Sequence, residues 1–280
     1  MNVVTKSASV LTQNPLLFSK IVAARLRCLL PAPRVLVRKT IRGVDFEFDP
    51  AFSPFTELMF REAYEVTTVE AMRRLLRPGD TFIDVGANIG FLSAMGAGLV
   101  GQTGQVHAFE PVPRYFKSVQ RLAELNSGRV IVTNHCALGD RVGTAPMDVT
   151  ASSNIGWNTM VQGTMDQAER KETIDVPVLR LDAYIEEKKL ARIALIKIDT
   201  EGFEFPVLRG LSGYFEKNPS AKTTILCEIA PYVYPRLGTS LDELQRVMRG
   251  YGYRAHSLVA MGREVDLTRL TETSNVLFLR

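Results

Sequence analysis

Short apolar runs alternate with longer amphipathic segments along most of the chain from residue 81 onward. The short runs are rich in β-branched residues, as strands are, whereas the longer segments carry apolar residues at helical spacing. This alternation predicts an α/β fold, in which a doubly wound, mostly parallel sheet has helices on both faces. The predicted strands are 81–85, 105–109, 130–134, 193–198 and 223–228. The predicted helices are 89–100, 113–126, 202–217 and 240–249.

Further elements are predicted at the two ends of this pattern. Residues 44–48 alternate as a short strand, and residues 55–76 are expected to form one or two helices. Residues 251–256 and 275–279 supply two last strands, which we expect to include an antiparallel edge pair.

A glycine turn follows the first long strand, in the stretch DTFIDVGANIG at residues 80–90. Gly86 and Gly90 can adopt positive φ and leave bare backbone for a ligand, and Asn88 can cap a helix that begins at Ile89. The free N–H groups and the positive end of the helix dipole would then favour a carboxylate or phosphate ligand.

Two acids near this turn discriminate between possible ligands. The glycines are spaced G-x-N-x-G rather than G-x-G-x-x-G, and Asp84 disfavours a pyrophosphate but favours an ammonium or sulfonium. Glu110 ends the next strand, at the spacing expected of an acid that holds ribose hydroxyls. Together these features favour S-adenosylmethionine over a dinucleotide. An NAD-dependent oxidoreductase remains an alternative, because it shares the fold and the ribose acid.

Several acids fall at the carboxyl ends of the predicted strands, where an open α/β sheet binds its ligand. They are Asp84, Glu110, Asp199, Glu201 and Glu228. Such acids would repel one another unless a cation lies among them or some are protonated, and a sulfonium ligand would supply that cation. We expect the catalytic proton acceptor among Asp199, Glu201 and Glu228, and we expect Glu204 to face solvent. Asp199 and Glu201 alone offer too few ligands for a divalent metal, so no required metal is predicted.

The charge is unevenly distributed. Residues 1–44 hold eight of the 34 basic residues and no acid, so the other 236 residues carry 26 basic and 30 acidic side chains, a net charge of −4. We therefore predict a basic, helical leader over residues 1–42 and a catalytic domain over residues 43–280. The amphipathic leader fits packing on that domain, attachment to an anionic membrane surface, or a transit peptide. A nucleic-acid methyltransferase that grips the backbone through the leader is a further alternative, although the acidic remainder argues against a nucleic-acid partner.

The remaining composition favours a cytoplasmic protein. The chain of 280 residues is 46% hydrophobic and 23% charged, as in globular proteins, and its longest uncharged stretch contains the glycine turn rather than a membrane span. The three cysteines form no C-x-x-C pair, so neither a disulfide framework nor a zinc site is expected. A polar stretch over residues 148–173 is predicted to be an irregular acceptor lid, in which Trp157 offers a flat wall for a ring.

The motifs FIDVGANIGF, FEPVPRYF, NHCALGD, LIKIDTEGFEFPVLRG and CEIAP, in this order, resemble the FkbM-type methyltransferases over residues 64–253. This resemblance implies the seven-stranded, Rossmann-like fold of class I methyltransferases that use S-adenosylmethionine. It also implies O-methylation of hydroxyls on sugars, lipids or secondary metabolites, so we expect a small-molecule or glycan acceptor.

The resemblance also assigns roles to individual residues. Asp199 and Glu201 match the IKIDVEG pattern, with Thr200 in place of the more usual valine. The residues assigned to the methionine portion of the cofactor are Asp84, Gly86, Asn88 and Gly90. Glu110 is assigned to the ribose, Ala137 to the adenine, and Glu65, with Tyr64, to an element near the cofactor tail.

Overall fold

The computed structural model of the chain describes residues 36–49, 56, 58–59, 62, 64–150, 157–260 and 262–280. Residues 1–35 of the predicted helical leader lie outside these residues, and its residues 37–41 form a strand rather than a helix. The strands are β1 (Val37–Ile41), β2 (Val44–Phe48), β3 (Thr81–Val85), β4 (Gln105–Phe109), β5 (Val130–Asn134), β6 (Ala137–Leu138), β7 (Gly143–Thr150), β8 (Arg170–Leu179), β9 (Ile193–Ile198), β10 (Thr224–Ile229), β11 (Arg254–Ser257) and β12 (Ser274–Leu279). The α-helices are α1 (Val66–Leu75), α2 (Phe91–Val100), α3 (Pro113–Leu125), α4 (Leu181–Glu187), α5 (Glu204–Arg209), α6 (Ser212–Lys217) and α7 (Leu241–Gly250). Short 3₁₀ helices cover Pro231–Leu237 and Leu267–Arg269.

Seven strands form the central sheet, in the order β11-β12-β10-β9-β3-β4-β5. The five strands from β10 to β5 are parallel, and β12 runs antiparallel to both β10 and β11. The predicted fold class is thereby confirmed, as is the antiparallel edge pair. Strand order reverses between β3 and β9, so the carboxyl ends of these two neighbours define the expected ligand edge.

Alternate residues of the central strands face two separate apolar cores. Phe82, Val106 and Leu195 lie in the core that also contains residues of the β1–β2 hairpin and of α1, α2 and α3. Ile83 and Ile196 lie in the opposite core, with residues of α4, α5, α6 and α7. The sheet is therefore covered on both faces, as the sequence predicts.

The predicted helix over residues 202–217 is two helices rather than one. It is interrupted at Gly210, whose carbonyl accepts a hydrogen bond from the N–H of Asp182 (2.9 Å) instead of continuing the helical pattern. A Cβ on Gly210 would lie 2.2 Å from the carbonyl oxygen of Gly139, so the close approach of a neighbouring segment accounts for the break.

A second sheet, in the order β6-β8-β7, was not predicted. Its strands β7 and β8 are antiparallel and take in both ends of the stretch 148–173, so that of its described residues only 157–169 lie outside these strands. The prediction of one irregular loop over 148–173 is therefore wrong at both ends. The sequence signal for these strands is weak because β7 contains Pro146 and β8 contains Pro177. In addition, most side chains of β8 are exposed or half-buried.

At the start of the described chain, β1 and β2 form an antiparallel hairpin. Its turn, Arg42–Gly43, has positive φ at both residues, as a two-residue hairpin turn requires. The predicted domain boundary falls at this turn and stays a prediction. Among the helices in the described part of the chain, none combines the length and apolar character needed to cross a membrane.

Candidate active site

The turn between β3 and α2 is fixed by the end of β4. The N–H groups of Gly86 and Ala87 donate to the carbonyl of Phe109 at 3.0 and 2.9 Å. Gly86 and Gly90 have φ of 79° and 89°, so the predicted positive φ is confirmed at both. The predicted cap is wrong, because α2 begins at Phe91 and its N-cap is Gly90, whereas the Oδ1 of Asn88 accepts from the N–H of Ile89 at 2.7 Å.

Gly86 is required by the neighbouring strand. A Cβ at this position would lie 1.9 Å from the carbonyl oxygen of Asp199, which follows β9. The sequence-based expectation was that the missing side chain leaves room for a ligand. This expectation is wrong at Gly86, because the backbone of Asp199 fills the space where a side chain would lie. The glycine turn therefore packs directly against the loop that carries Asp199.

Asp84 and Lys197 lie opposite each other in the paired strands β3 and β9, on the same face of the sheet. The Nζ of Lys197 is 3.5 Å from Asp84 Oδ1 and 3.4 Å from Asp199 Oδ2, and it donates to the carbonyl of Gly86 at 3.0 Å. Ser93, in α2, donates to Asp84 Oδ2 at 2.6 Å. The acids at this edge thus have a cation within the protein itself, whereas only the ligand was expected to supply one.

Lys197 remains protonated in this surrounding. Burial acts to lower its pKa, but the negative charges of Asp199, Asp84 and Glu65 outweigh burial and raise the pKa above its ordinary value. The single ammonium of Lys197 interacts with these three carboxylates, so it neutralises their negative charge only in part. The residues present therefore fit a ligand that carries a sulfonium and an α-ammonium.

Glu110 lies against the same turn and is almost fully buried. Its Oε2 accepts from the N–H of Asn88 and its Oε1 from the N–H of Val112, both at 2.8 Å. Burial raises the pKa of Glu110 to about 8, against the lowering effect of these two N–H donors. Once ionised, Glu110 has about four acceptor positions, so it can then hold the turn and still accept from ribose hydroxyls.

Three further acids meet at this edge, as predicted. Asp199, Glu201 and Glu228 are half-buried, and one carboxylate oxygen of each lies within 4.8 Å of those of the other two. The backbone carbonyl of Glu201 accepts from Thr159 Oγ1 at 2.8 Å, which brings the segment that begins at Trp157 to the cluster. The sequence suggested a pair of possible metal ligands, and the structure adds Glu228 as a third that could help hold a divalent cation.

The expectation that Glu204 faces solvent is wrong. Its side chain is fully buried, and its Oε1 accepts from Thr200 N (3.1 Å), Thr200 Oγ1 (3.2 Å) and Gly202 N (2.8 Å). Burial raises the pKa of Glu204 to about 7. Glu204 therefore folds back over residues 199–203 and holds the loop in which Glu201 adopts a left-handed conformation, with φ of 51°.

Tyr64 and Glu65 lie near the same acids. The ring of Tyr64 packs edge-on against Phe91, the first residue of α2, at 5.8 Å between centroids. The pKa of Tyr64 is raised well above its usual value by burial and, to a lesser extent, by the charges of Glu65 and the acids Asp199, Glu228 and Glu201. Glu65 is the N-cap residue of α1 and accepts from Thr68 Oγ1 at 2.6 Å.

Ala137 lies in the second sheet. It is buried in β6, where its backbone pairs with Val178 of β8. Its predicted adenine contact stays a prediction.

Sequence reasoning missed Lys197, Ser93 and the orientation of Glu204. A signal for Lys197 was available: β3 and β9 each contain one charged residue among apolar ones, two positions before Gly86 and Asp199 respectively. Two opposite charges at matching places in adjacent buried strands indicate an ion pair.

The Methyltransferase FkbM domain family matches residues 84–255, and the chain belongs to this family. Membership confirms the resemblance seen in the motifs and makes the chain a methyltransferase that uses S-adenosylmethionine. It does not favour the oxidoreductase or nucleic-acid alternatives.

Two named relatives are similar over part of their length. The chain is 31% identical over 204 residues to 31-O-demethyl-FK506 methyltransferase FkbM of Streptomyces tacrolimicus, a match covering 64% of this chain and 74% of the relative. It is 30% identical over 152 residues to Methyltransferase 1 of Beauveria bassiana (strain ARSEF 2860), covering 48% and 59% respectively.

Solved structures with a weaker overall likeness include TYW2 of P. horikoshii in complex with MeSAdo, with a TM-score of 0.43 and 14% identity over 88% of this chain and 71% of that one. Another is fibrillarin of Aeropyrum pernix with natively bound S-adenosyl-L-methionine, with a TM-score of 0.42 and 9% identity over 90% and 86%.

Proposed function

We propose that the chain transfers a methyl group to a hydroxyl oxygen of a sugar, glycan, lipid or secondary metabolite. The observation that carries this proposal is the meeting of Asp199, Glu201 and Glu228 within 4.8 Å of one another, beside the turn that contains Gly86. A hydroxyl must lose its proton during or after attack, and carboxylates at this place can accept it.

The donor side of the site is proposed as follows. The turn and its acid, through Asp84, Gly86, Asn88 and Gly90, hold the methionine portion of the donor, and Glu65 lies by its tail. Glu110 holds the ribose, and Ala137 lies along the adenine. Support comes from Glu110 and Lys197, which both bond directly to backbone atoms of the turn.

The chemistry asked of the protein is mainly positional. When bound, S-adenosylmethionine supplies an electrophilic methyl group on a positively charged sulfur. The chain's residues must hold the acceptor oxygen in line, about 3 Å from the methyl carbon, and keep water out. The hydroxyl proton then moves to a carboxylate oxygen of Asp199, Glu201 or Glu228. Because a hydroxyl and three carboxylates suffice for this step, no metal is required in the proposal.

The acceptor is proposed to lie against the segment that begins at Trp157. Trp157 is half-buried, and Thr159, two residues later, bonds to the carbonyl of Glu201. Trp157→Ala should therefore raise the Michaelis constant for the acceptor and leave the affinity for S-adenosylmethionine unchanged. An unchanged acceptor constant would contradict the proposed wall.

The cellular setting is proposed from charge and cysteine chemistry. Cys136 and Cys227 are free and buried, which suits the cytoplasm, and the acidic charge outside the leader disfavours a nucleic-acid acceptor. The basic leader is proposed to allow contact with an anionic membrane surface. Vesicle binding by the full chain, compared with a chain lacking residues 1–35, tests that contact.

The acceptor class can be tested with methyl-labelled S-adenosylmethionine and a panel of sugars, nucleotide sugars, lipids, phenols and RNA. We expect label on a hydroxyl oxygen, lost in Asp199→Asn and retained in Asp80→Asn, which alters an acid at the opposite edge of the same sheet. Label transferred to nitrogen, carbon or RNA would contradict O-methylation.

A further inference from the structure

Lys197 is the most deeply buried cation that the structure places at the ligand edge. Its residue is 4% exposed, in a strand whose other side chains are apolar. Removing an ammonium from water costs several kcal/mol unless other charges compensate. The compensation here comes from Asp84 Oδ1 at 3.5 Å and Asp199 Oδ2 at 3.4 Å.

The third contact of Lys197 is with the backbone of the proposed donor turn. Its Nζ donates to the carbonyl of Gly86 at 3.0 Å, and the same glycine lies against the carbonyl of Asp199. One side chain therefore joins the turn after β3, the acid within β3 and the acid after β9. A shift of Lys197 would move the turn relative to the acid cluster.

The charge of Lys197 also opposes a positively charged ligand at this edge. S-adenosylmethionine carries a sulfonium, whereas its product S-adenosylhomocysteine carries a neutral thioether, and the two share every other charged group. A nearby ammonium disfavours the sulfonium and leaves the thioether unaffected. Lys197 thus reduces the preference that Asp84, Asp199 and Glu65 would otherwise give to the donor over the product.

We propose that Lys197 is a positioning residue that fixes the donor turn against the acid cluster and sets the preference of the site between the cationic donor and its neutral product. This inference rests on the proposed placement of the methyl donor at the Gly86 turn. A merely structural ion pair would weaken both ligands equally when removed.

The test compares the dissociation constants of the two ligands, measured calorimetrically on the full chain. Lys197→Gln removes the charge but keeps a donor for the Gly86 carbonyl, and Lys197→Met removes both. We expect the ratio of the dissociation constant for S-adenosylhomocysteine to that for S-adenosylmethionine to rise about tenfold in both variants. The rise follows from loss of one positive charge near the sulfonium. A ratio within about twofold of wild type in a folded neutral variant would overturn the proposal.

Arg192→Met is the matched control, because Arg192 pairs with Asp80 beside the same two strands at the opposite edge. It should leave the ratio and both constants unchanged. Lys197→Arg keeps the charge but changes the geometry, so it should retain the wild-type ratio and weaken both ligands at least about threefold. If neither neutral variant folds, unchanged affinities in Lys197→Arg would contradict the positioning role.

The two possible failures are distinguishable. Wild-type protein that binds neither ligand would contradict the proposed donor site itself. Wild-type binding with an unchanged ratio in the neutral variants would contradict only the role of Lys197.

Discussion

The neighbouring strands β3 and β9 have an ion pair between an aspartate and a basic side chain at each end, and the two pairs lie in very different surroundings. Beside the amino ends, Arg192 Nη2 lies 3.3 Å from Asp80 Oδ1, with side chains 67% and 12% exposed. Near the carboxyl ends, Lys197 Nζ lies 3.5 Å from Asp84 Oδ1, with side chains 5% and 0% exposed.

The difference in burial distinguishes an ion pair that only supports the fold from one that belongs to a ligand site. A pair with a solvent-exposed arginine contributes about 0 to 1 kcal/mol, so it can be replaced at little cost. A buried pair carries a desolvation penalty, and apolar residues of similar volume are often as stable. The stability of the fold therefore does not account for the buried Asp84–Lys197 pair, whereas recognition of a charged ligand does.

The largest expected contrast between the edges is at their left-handed glycines. Gly86→Ala would place a Cβ 1.9 Å from backbone at φ of 79°, whereas Gly79→Ala would meet the movable guanidinium of Arg192 at 3.3 Å. We expect the free energy of unfolding to fall by about 4 kcal/mol for Gly86→Ala and about 1 kcal/mol for Gly79→Ala. Urea unfolding measures both, and equal losses would contradict the crowding at Gly86.

The second contrast concerns the loop that carries Asp199 and Glu201. Glu204→Ala leaves the N–H groups of Thr200 and Gly202 without their acceptor, and we expect a loss of about 2 to 3 kcal/mol. Asp80→Ala at the amino edge removes the acceptor of the N–H of Arg77, an exposed residue, and should cost about 1 kcal/mol because water can replace it. A smaller loss for Glu204→Ala than for Asp80→Ala in urea unfolding would argue against the loop-holding role.

The third prediction concerns pH. The pKa of Glu110 is about 8 in the folded chain, and burial causes the increase from the ordinary value of 4.5. Between these values the unfolded chain has lost the proton that the folded chain keeps, so the free energy of unfolding falls as pH rises, by about 1 kcal/mol per pH unit. Glu204 adds to the slope in the same direction up to its pKa of about 7.

Glu110→Gln should remove the part of this slope due to Glu110. Urea unfolding at several values between about pH 5 and pH 8 measures it. Asp80→Asn serves as the control and should keep the wild-type slope. The same slope in Glu110→Gln as in wild type would show that Glu110 is ionised in the folded protein.

The smallest expected effect is that of metal removal. Asp199 is already paired with Lys197 at 3.4 Å, so the cluster of three acids is partly compensated by the protein itself. We expect methyl transfer to be unchanged in a chelator. Loss of activity that is restored by magnesium would show that Asp199, Glu201 and Glu228 form a required metal site.

The central sheet could be predicted because its parallel strands are mostly apolar and are separated by segments with helical periodicity. The second sheet could not, since β7 and β8 contain prolines and β8 is mostly exposed, which weakens the period-two signal. The sequence places Asp84, Glu110, Asp199, Glu201 and Glu228 at strand ends, but it does not predict their contacts.

Glu204 shows why the contacts could not be predicted. The expectation that Glu204 faces solvent depends on the predicted helix over residues 202–217, yet α5 begins only at Glu204 and residues 199–203 form a loop. Helical spacing does not apply across that loop. Lys197 was overlooked for a different reason: pairing between strands distant in sequence is needed before it faces Asp84.

The central claim, that the methyl donor binds at the carboxyl edge beside the glycine turn, is tested most directly by titrating S-adenosylmethionine into wild type, Glu110→Gln and Asp80→Asn. We predict saturable binding by wild type and Asp80→Asn and, above the Glu110 pKa of about 8, at least about tenfold weaker binding by Glu110→Gln, as for loss of a charged hydrogen-bond acceptor. Folded wild-type protein that takes up no S-adenosylmethionine, or equal weakening by the two variants, would contradict the account.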